Sequence, residues 1–197
     1  MSADSEISIF THHFGRPNPA VPPGDFFADK FDKSLWRMMY DEVGAGWYRN
    51  GFLYLFGTDL PQLTVCLDAW TDLLEPGVER VVIGRNAYGA LLVAERTTEE
   101  GTDAPIGLLD PWQGTYTKQE GLDFASLLSE GLPENRLPGF LDDAVYSAFS
   151  AAGNQLAETE ILGIQTPTGR GGSLEPGNFR PEEVLAFHRR IAALRAQ

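Results

Sequence analysis

The chain has 197 residues, 28 acidic and 15 basic side chains for a formal charge of −13, and 43% hydrophobic residues. This length fits one domain or two small ones, and the apolar share is enough to bury a core, which excludes a disordered chain and a large multi-domain machine. The charge repels phosphate backbones and anionic membranes, so direct nucleic-acid binding and membrane-surface binding are not expected.

The first ten residues, MSADSEISIF, are acidic where a secretory leader needs a basic start, and no apolar run reaches the roughly 18 residues of a spanning helix. With one cysteine, Cys66, neither an internal disulfide nor a thiolate zinc cage is available. The expected compartment is the cytoplasm. Residues 1–24 read as an N-terminal arm that ends in PNPAVPPGD, where closely spaced prolines preclude a helix and Asp25 can cap the next one. Phe27, Phe31, Leu35 and Met38 recur at helical spacing and predict a helix over 26–42, stopped by Gly44 and Gly46.

GFLYLFG, between Gly51 and Gly57, reads as a short strand. A second helix is expected after Asp59 and Pro61, with Leu63, Leu67, Trp70 and Leu74 as its apolar stripe. ERVVIGR, GALLVAE, PIGLLD and GTYTK then follow one another with turn residues between, the pattern of an antiparallel meander rather than of βαβ crossovers. Further helices are expected over 121–130 and 138–152, then a strand at EILGIQT. A final helix is expected over RPEEVLAFHRRIAALRAQ, with acids leading and arginines trailing. The fold class is α+β, an antiparallel sheet meander flanked by several helices.

Candidate chemistry is sparse. His12 and His13 sit in the arm with no third ligand at metal spacing, and His188 beside Arg189 and Arg190 suits a helix terminus better than a catalytic base. GRNAYG, Gly84 to Gly89, has the outer glycines of a phosphate loop but Ala90 and Leu91 where that loop needs Lys and Ser or Thr, so it reads as a turn between strands. GRGG, Gly169 to Gly172, offers backbone amides and Arg170 to an anion or a partner. Asp142 and Asp143 point about 100° apart on a helix and make no dyad. No metal or cofactor is expected. The acidic excess is concentrated in residues 101–160, with ten acids against two bases.

The order of several motifs resembles a known family. Gly44, Gly46, Tyr48, Gly51 and Phe52, followed by Trp70, Arg85, Tyr88 and Gly89, resemble the GAD-like domain of bacterial immunity proteins. Leu156, Glu160, Gly163, Pro167, Gly171 and Gly172 are similar to the pattern of the region usually joined to it. The resemblance divides the chain into the arm 1–24, a GAD-like region 25–100 and an immunity-type region 101–197, packed as one unit. It implies a Tdi-type immunity protein of a type VI secretion system, not an enzyme, that neutralises a cognate toxin, most often a DNase effector. A chain of charge −13 would be steered onto such a basic nuclease. The expected partner-binding residues are Asp110, Glu120, Asp123, Glu130 and Glu134, with Arg170, Gly171 and Gly172 as a second contact. Two other classes stay open: a small hydrolase or transferase whose carboxylates converge only in three dimensions, and an acidic adaptor or scaffold. A cleft holding two carboxylates, or a carboxylate with His188, would mark the enzyme.

Overall fold

The computed structural model describes residues 3–23, 43–96, 105–123 and 126–195. The helix expected over 26–42 lies outside the described residues, as do residues 124 and 125 of the helix expected over 121–130. The described elements form an α+β fold around a six-stranded antiparallel meander. Its strands are β1 (Gly46–Tyr48), β2 (Leu53–Leu55), β3 (Glu79–Asn86), β4 (Leu91–Arg96), β5 (Ile106–Asp110) and β6 (Thr115–Lys118), paired strictly in chain order. The sheet crosses the sequence boundary at 100, because β4 and β5 are hydrogen-bonded neighbours with Leu92 opposite Leu108.

A second, two-stranded sheet joins β7 (Glu160–Ile164) to β8 (Phe179–Glu183). The helices are α1 (Ala3–Phe14), α2 (Ala144–Ala151) and α3 (Val184–Arg195), with a 3-10 helix over Leu60–Trp70 and a single π turn over Leu127–Gly131. Both faces of the central strands are covered, so Val82, Ile83, Leu91, Leu92 and Val93 are all buried in succession instead of alternating with polar residues. Each such side chain contributes roughly 1.5–3 kcal/mol by leaving water. Gly84 in β3 leaves room for Leu55, whose methyl would lie 2.6 Å from an added Cβ, and the register shifts beside it.

Several expectations are corrected. The arm contains α1, because the prolines begin only at Pro17 and leave residues 3–14 free to wind; His12 and His13 occupy its last turn. Strand β1 replaces part of the expected turn, with Gly46 bridging to Ala20 of the arm so closely that a Cβ would come 2.4 Å from the Pro19 carbonyl oxygen. The 60–70 segment is 3-10 rather than α. Residues 127–131 make only the π turn, and α2 starts at Ala144 because Gly139 adopts a positive φ of 75° just upstream. Arg180 to Glu183 extend as β8 rather than as the first turn of a helix. Pro181 is tolerated there because β8 pairs on one side only, and Glu183 caps α3 by accepting the Ala186 amide at 2.7 Å.

Candidate functional site

The β1–β2 connection is unusual. Arg49, Asn50 and Gly51 all have positive φ, at 50°, 55° and 90°, a run in which two residues are not glycine. Left-handed backbone costs a side-chain-bearing residue roughly 1–2 kcal/mol, so the turn must be held by its surroundings. It is. Arg49 donates to the Leu141 carbonyl and to Asp143, both at 2.8 Å. The Tyr146 hydroxyl donates to the Asn50 carbonyl at 2.9 Å and sits where a Cβ on Gly51 would be, 2.6 Å away. Tyr146 is itself fixed by its amide, which donates to the Tyr88 hydroxyl at 2.9 Å.

Behind this turn lies Arg85 of β3, 1% exposed. It has no carboxylate in salt-bridge contact among the described residues. Its guanidinium instead lies 4.8 Å from the Trp47 ring centre and 5.7 Å from that of Tyr54, and donates to the Glu158 carbonyl at 2.6 Å and the Glu160 carbonyl at 3.3 Å. Nε makes no hydrogen bond. Burial lowers its pKa to about 10, with Asp59 and other neighbours acting the opposite way, so it is still a cation at neutral pH. The Tyr54 hydroxyl donates to Asp59 at 2.5 Å, and burial with this bond raises its pKa. Gly57 is required beside it, since a Cβ would come 1.9 Å from that hydroxyl oxygen.

Above Trp47 opens a cleft of about 560 Å³. The arm contributes Asn18, Pro19 and Val21; the strained turn contributes Asn50 and Gly51; α2 contributes Tyr146 and Ser150. Asn154, Gln155, Leu156 and Glu158 close it from the irregular segment before β7. Among the described residues the lining holds one carboxylate, that of Glu158. A volume in this range is typical of ligand sites.

The predicted partner-binding residues are distributed differently. Asp110 ends β5 and caps the β5–β6 turn, accepting the amides of Trp112 at 2.8 Å and Gln113 at 3.2 Å. Glu120 and Asp123 lie past the other end of that hairpin, four strand residues or about 13 Å away. Asp123 accepts the amide and the hydroxyl of Ser126, at 2.8 and 2.6 Å. Glu130 and Glu134 both hold Arg136, at 2.6 and 3.0 Å. Glu120 alone of the five is exposed without a hydrogen bond or ion pair among the described residues. Arg170 donates to the Leu194 carbonyl at 2.5 Å and lines, with the turn that Asp110 caps, a second cleft of about 190 Å³. Gly171 has φ of 84°, and Gly172 lies so near the Thr166 carbonyl that a Cβ would come 1.7 Å from its oxygen. The structure therefore brings Arg170 to Asp110's turn and leaves the other acids elsewhere.

The residues weighed for chemistry have structural partners. His188 is fully buried and its Nδ1 accepts the Trp70 indole N–H at 3.1 Å; burial pushes its pKa down to about 3, against the opposing Gly89 backbone. It lines none of the clefts described here. Cys66 is buried, and its thiol pKa is raised to about 12 by burial. GRNAYG ends β3 and enters the β3–β4 turn, with the Asn86 side chain accepting the amides of Tyr88 and Ala90 at 3.0 Å each. Asp143 pairs Arg49, while Asp142 accepts the Ala144 amide. Among the described residues no group of three or more His, Cys, Asp or Glu is placed to hold a metal ion.

Sequence reasoning missed the cleft, whose lining comes from three separated stretches, 18–21, 47–51 and 146–158. One signal was present: Arg85 is the lone charge inside VVIGRNAYGALLV, and a charge in a run that apolar must be buried.

No family model matches the chain, and no curated protein matches it. Among solved structures it is similar to the crystal structure of Atu4351 from Agrobacterium tumefaciens, with a TM-score of 0.62 over 93% of this chain and 87% of that one at 14% identity. A likeness at this identity establishes a shared fold. No helix among the described residues is long and apolar enough to cross a membrane.

Proposed function

We propose that the chain is a cytoplasmic, non-enzymatic immunity protein of the GAD-like type, which binds and neutralises a basic toxin such as a type VI DNase effector. The observation that carries the reading is the place of the motif residues. Tyr48 donates its hydroxyl to the carbonyls of Val43 and Gly44 at 2.9 Å. Trp70 meets His188 of α3, Gly89 lies against Phe187, and Arg85 reaches from the first motif region to Glu160 of the second. These residues tie the two regions into one core and leave the chemistry of recognition to the exterior. Such a division suits a binding protein, whose partner-facing residues vary with the partner while its core does not.

The exterior supplies the rest. A charge of −13 on a chain of this size speeds encounter with a cationic nuclease, although charge alone gives rate and selectivity rather than tightness. Tightness needs desolvated anchors. The test is co-expression with the product of the neighbouring gene. The reading expects rescue of growth and a complex that survives purification; persistent toxicity with both proteins folded would refute it.

A further inference from the structure

The Trp47 cleft supplies such an anchor site. We propose that it seats an extended segment of the basic partner, the segment's peptide groups meeting side-chain amides of the cleft and an arginine or lysine side chain reaching Glu158. This rests on the reading of the chain as a toxin-binding protein and assigns the surface it uses.

The chemistry of the walls selects the occupant. Asn50 and Gln155 each present a neutral amide with both donors and an acceptor, which matches the one donor and one acceptor of every peptide group, while Asn154 gives one donor to the Phe149 carbonyl at 3.2 Å. The side chains of Asn50 and Gln155 make no hydrogen bond among the described residues, so they are free to take such a partner. Trp47 and Tyr146 give flat aromatic surface at little entropic cost, the usual character of a binding anchor. Among the described residues Glu158 is the one carboxylate lining the cleft; it is exposed and makes no ion pair with them. No lysine or arginine among the described residues lines it, so a phosphate-bearing ligand would find no counter-charge from them. A cation carried on a peptide would find one.

The cleft is also held in shape before anything binds. Its rim at Asn50 is kept left-handed by Arg49 on Asp143 and by the Tyr146 hydroxyl, and the irregular segment bearing Glu158 is pinned by Arg85 on the Glu158 carbonyl at 2.6 Å. Asn50 before Gly51 suits a left-handed turn, but Arg49 is a residue that rarely adopts this conformation. Holding side chains in a costly conformation makes physical sense where their position reduces the ordering required on binding.

The test titrates the full chain with the capped peptide acetyl-Gly-Gly-Arg-Gly-Gly-amide, with its glutamate counterpart and with adenosine monophosphate, reading side-chain amide and indole resonances by NMR. The arginine peptide is expected to shift Trp47, Asn50, Asn154 and Gln155, and to bind at least tenfold more weakly to Glu158→Gln. Ser150→Trp, on an exposed position in the last turn of α2, is expected to fill the cleft and abolish the shifts while leaving the melting temperature within about 2 °C. No shift with the arginine peptide, an equal response to the glutamate peptide, or a stronger response to the nucleotide would overturn the proposal. The neutralisation assay separates the two readings. If folded Ser150→Trp still protects cells fully, the cleft assignment fails and immunity stands. If the native chain protects nothing while the arginine peptide occupies the cleft, immunity fails and the preference for a basic segment stands.

Discussion

Arg85 and Glu95 lie at opposite ends of the β3–β4 ladder and are equally buried, at 1% exposure, yet their surroundings differ in kind. Glu95 is enclosed by partners: Arg80 at 2.7 Å, the Tyr116 hydroxyl at 2.8 Å and Lys118 at 3.1 Å, with Lys118 also bridging to Glu75 at 2.9 Å. Gly107 makes the space, since a Cβ there would stand 2.0 Å from the Tyr116 hydroxyl oxygen. Two carboxylates and two cations close that cluster electrically. Among the described residues Arg85 contacts aromatic faces and carbonyl oxygens, and it lies under the wall of an open cleft. The comparison teaches that one end of the sheet is locked by charge pairing, while the other keeps a cation whose work is to position Trp47 and the Glu158 segment.

The sharpest way to break this contrast is to remove the charge at each end. Glu95→Gln strands Arg80, which is 7% exposed, without its main counter-charge, and is expected to cost about 3–5 kcal/mol, or roughly 10 °C in melting temperature for a chain of this size. Arg85→Met strands no carboxylate. Losing its cation–π contacts and two hydrogen bonds is expected to cost about 2 kcal/mol in a denaturant melt. Should Arg85→Met prove as damaging as Glu95→Gln, the supposed difference between the two ends would be wrong.

His188 sharpens the same contrast through pH, because it is buried with no charge to pair among the described residues. Its folded pKa of about 3 lies below the unfolded value near 6.5, so it is neutral in the fold at all ordinary pH. Its contribution is fully present above pH 6.5 and is lost as the pH falls toward 3, where the unfolded chain binds the extra proton, at up to about 1.4 kcal/mol per pH unit. Urea melts should therefore lose about 2 kcal/mol between pH 6.5 and 5, and His188→Gln should flatten that slope. At the strained turn, Asn50→Ala is expected to cost about 1 kcal/mol, since alanine tolerates left-handed backbone less well than asparagine, and Asn50→Gly should not destabilise. The smallest stability effect belongs to Glu120→Lys, within about 0.5 kcal/mol because the side chain is exposed and unpaired among the described residues.

These effects follow the line between what local pattern reveals and what it hides. The four strands from Glu79 to Lys118 and the strand after Ala157 were legible because runs of apolar and β-branched residues alternate with turn residues, a signal carried within a few positions. Strand β1 was hidden because Gly44 and Gly46 also spell a turn; it pairs with β2 along its length and is bridged by the arm at Ala20. The first turn of the last helix was misplaced because acids before an apolar run look like an N-terminus, whereas Ile161 and Leu162 draw the same residues into a ladder. The acids between 101 and 160 were visible as charge, but their use was not. Asp110 and Asp123 hold turns, and Glu130 and Glu134 hold Arg136, through contacts that sequence spacing alone does not single out. The cleft was least legible of all, since its walls are separated by over a hundred residues of chain.

The most direct measurement of the central claim is the association rate of the purified chain with the product of its neighbouring gene, followed as ionic strength rises. If this acidic molecule works by docking onto a cationic toxin, the rate should fall at least tenfold between about 50 and 300 mM salt, while Ser150→Trp accelerates dissociation without changing that slope. A rate indifferent to salt, or no complex at any salt, would contradict the account.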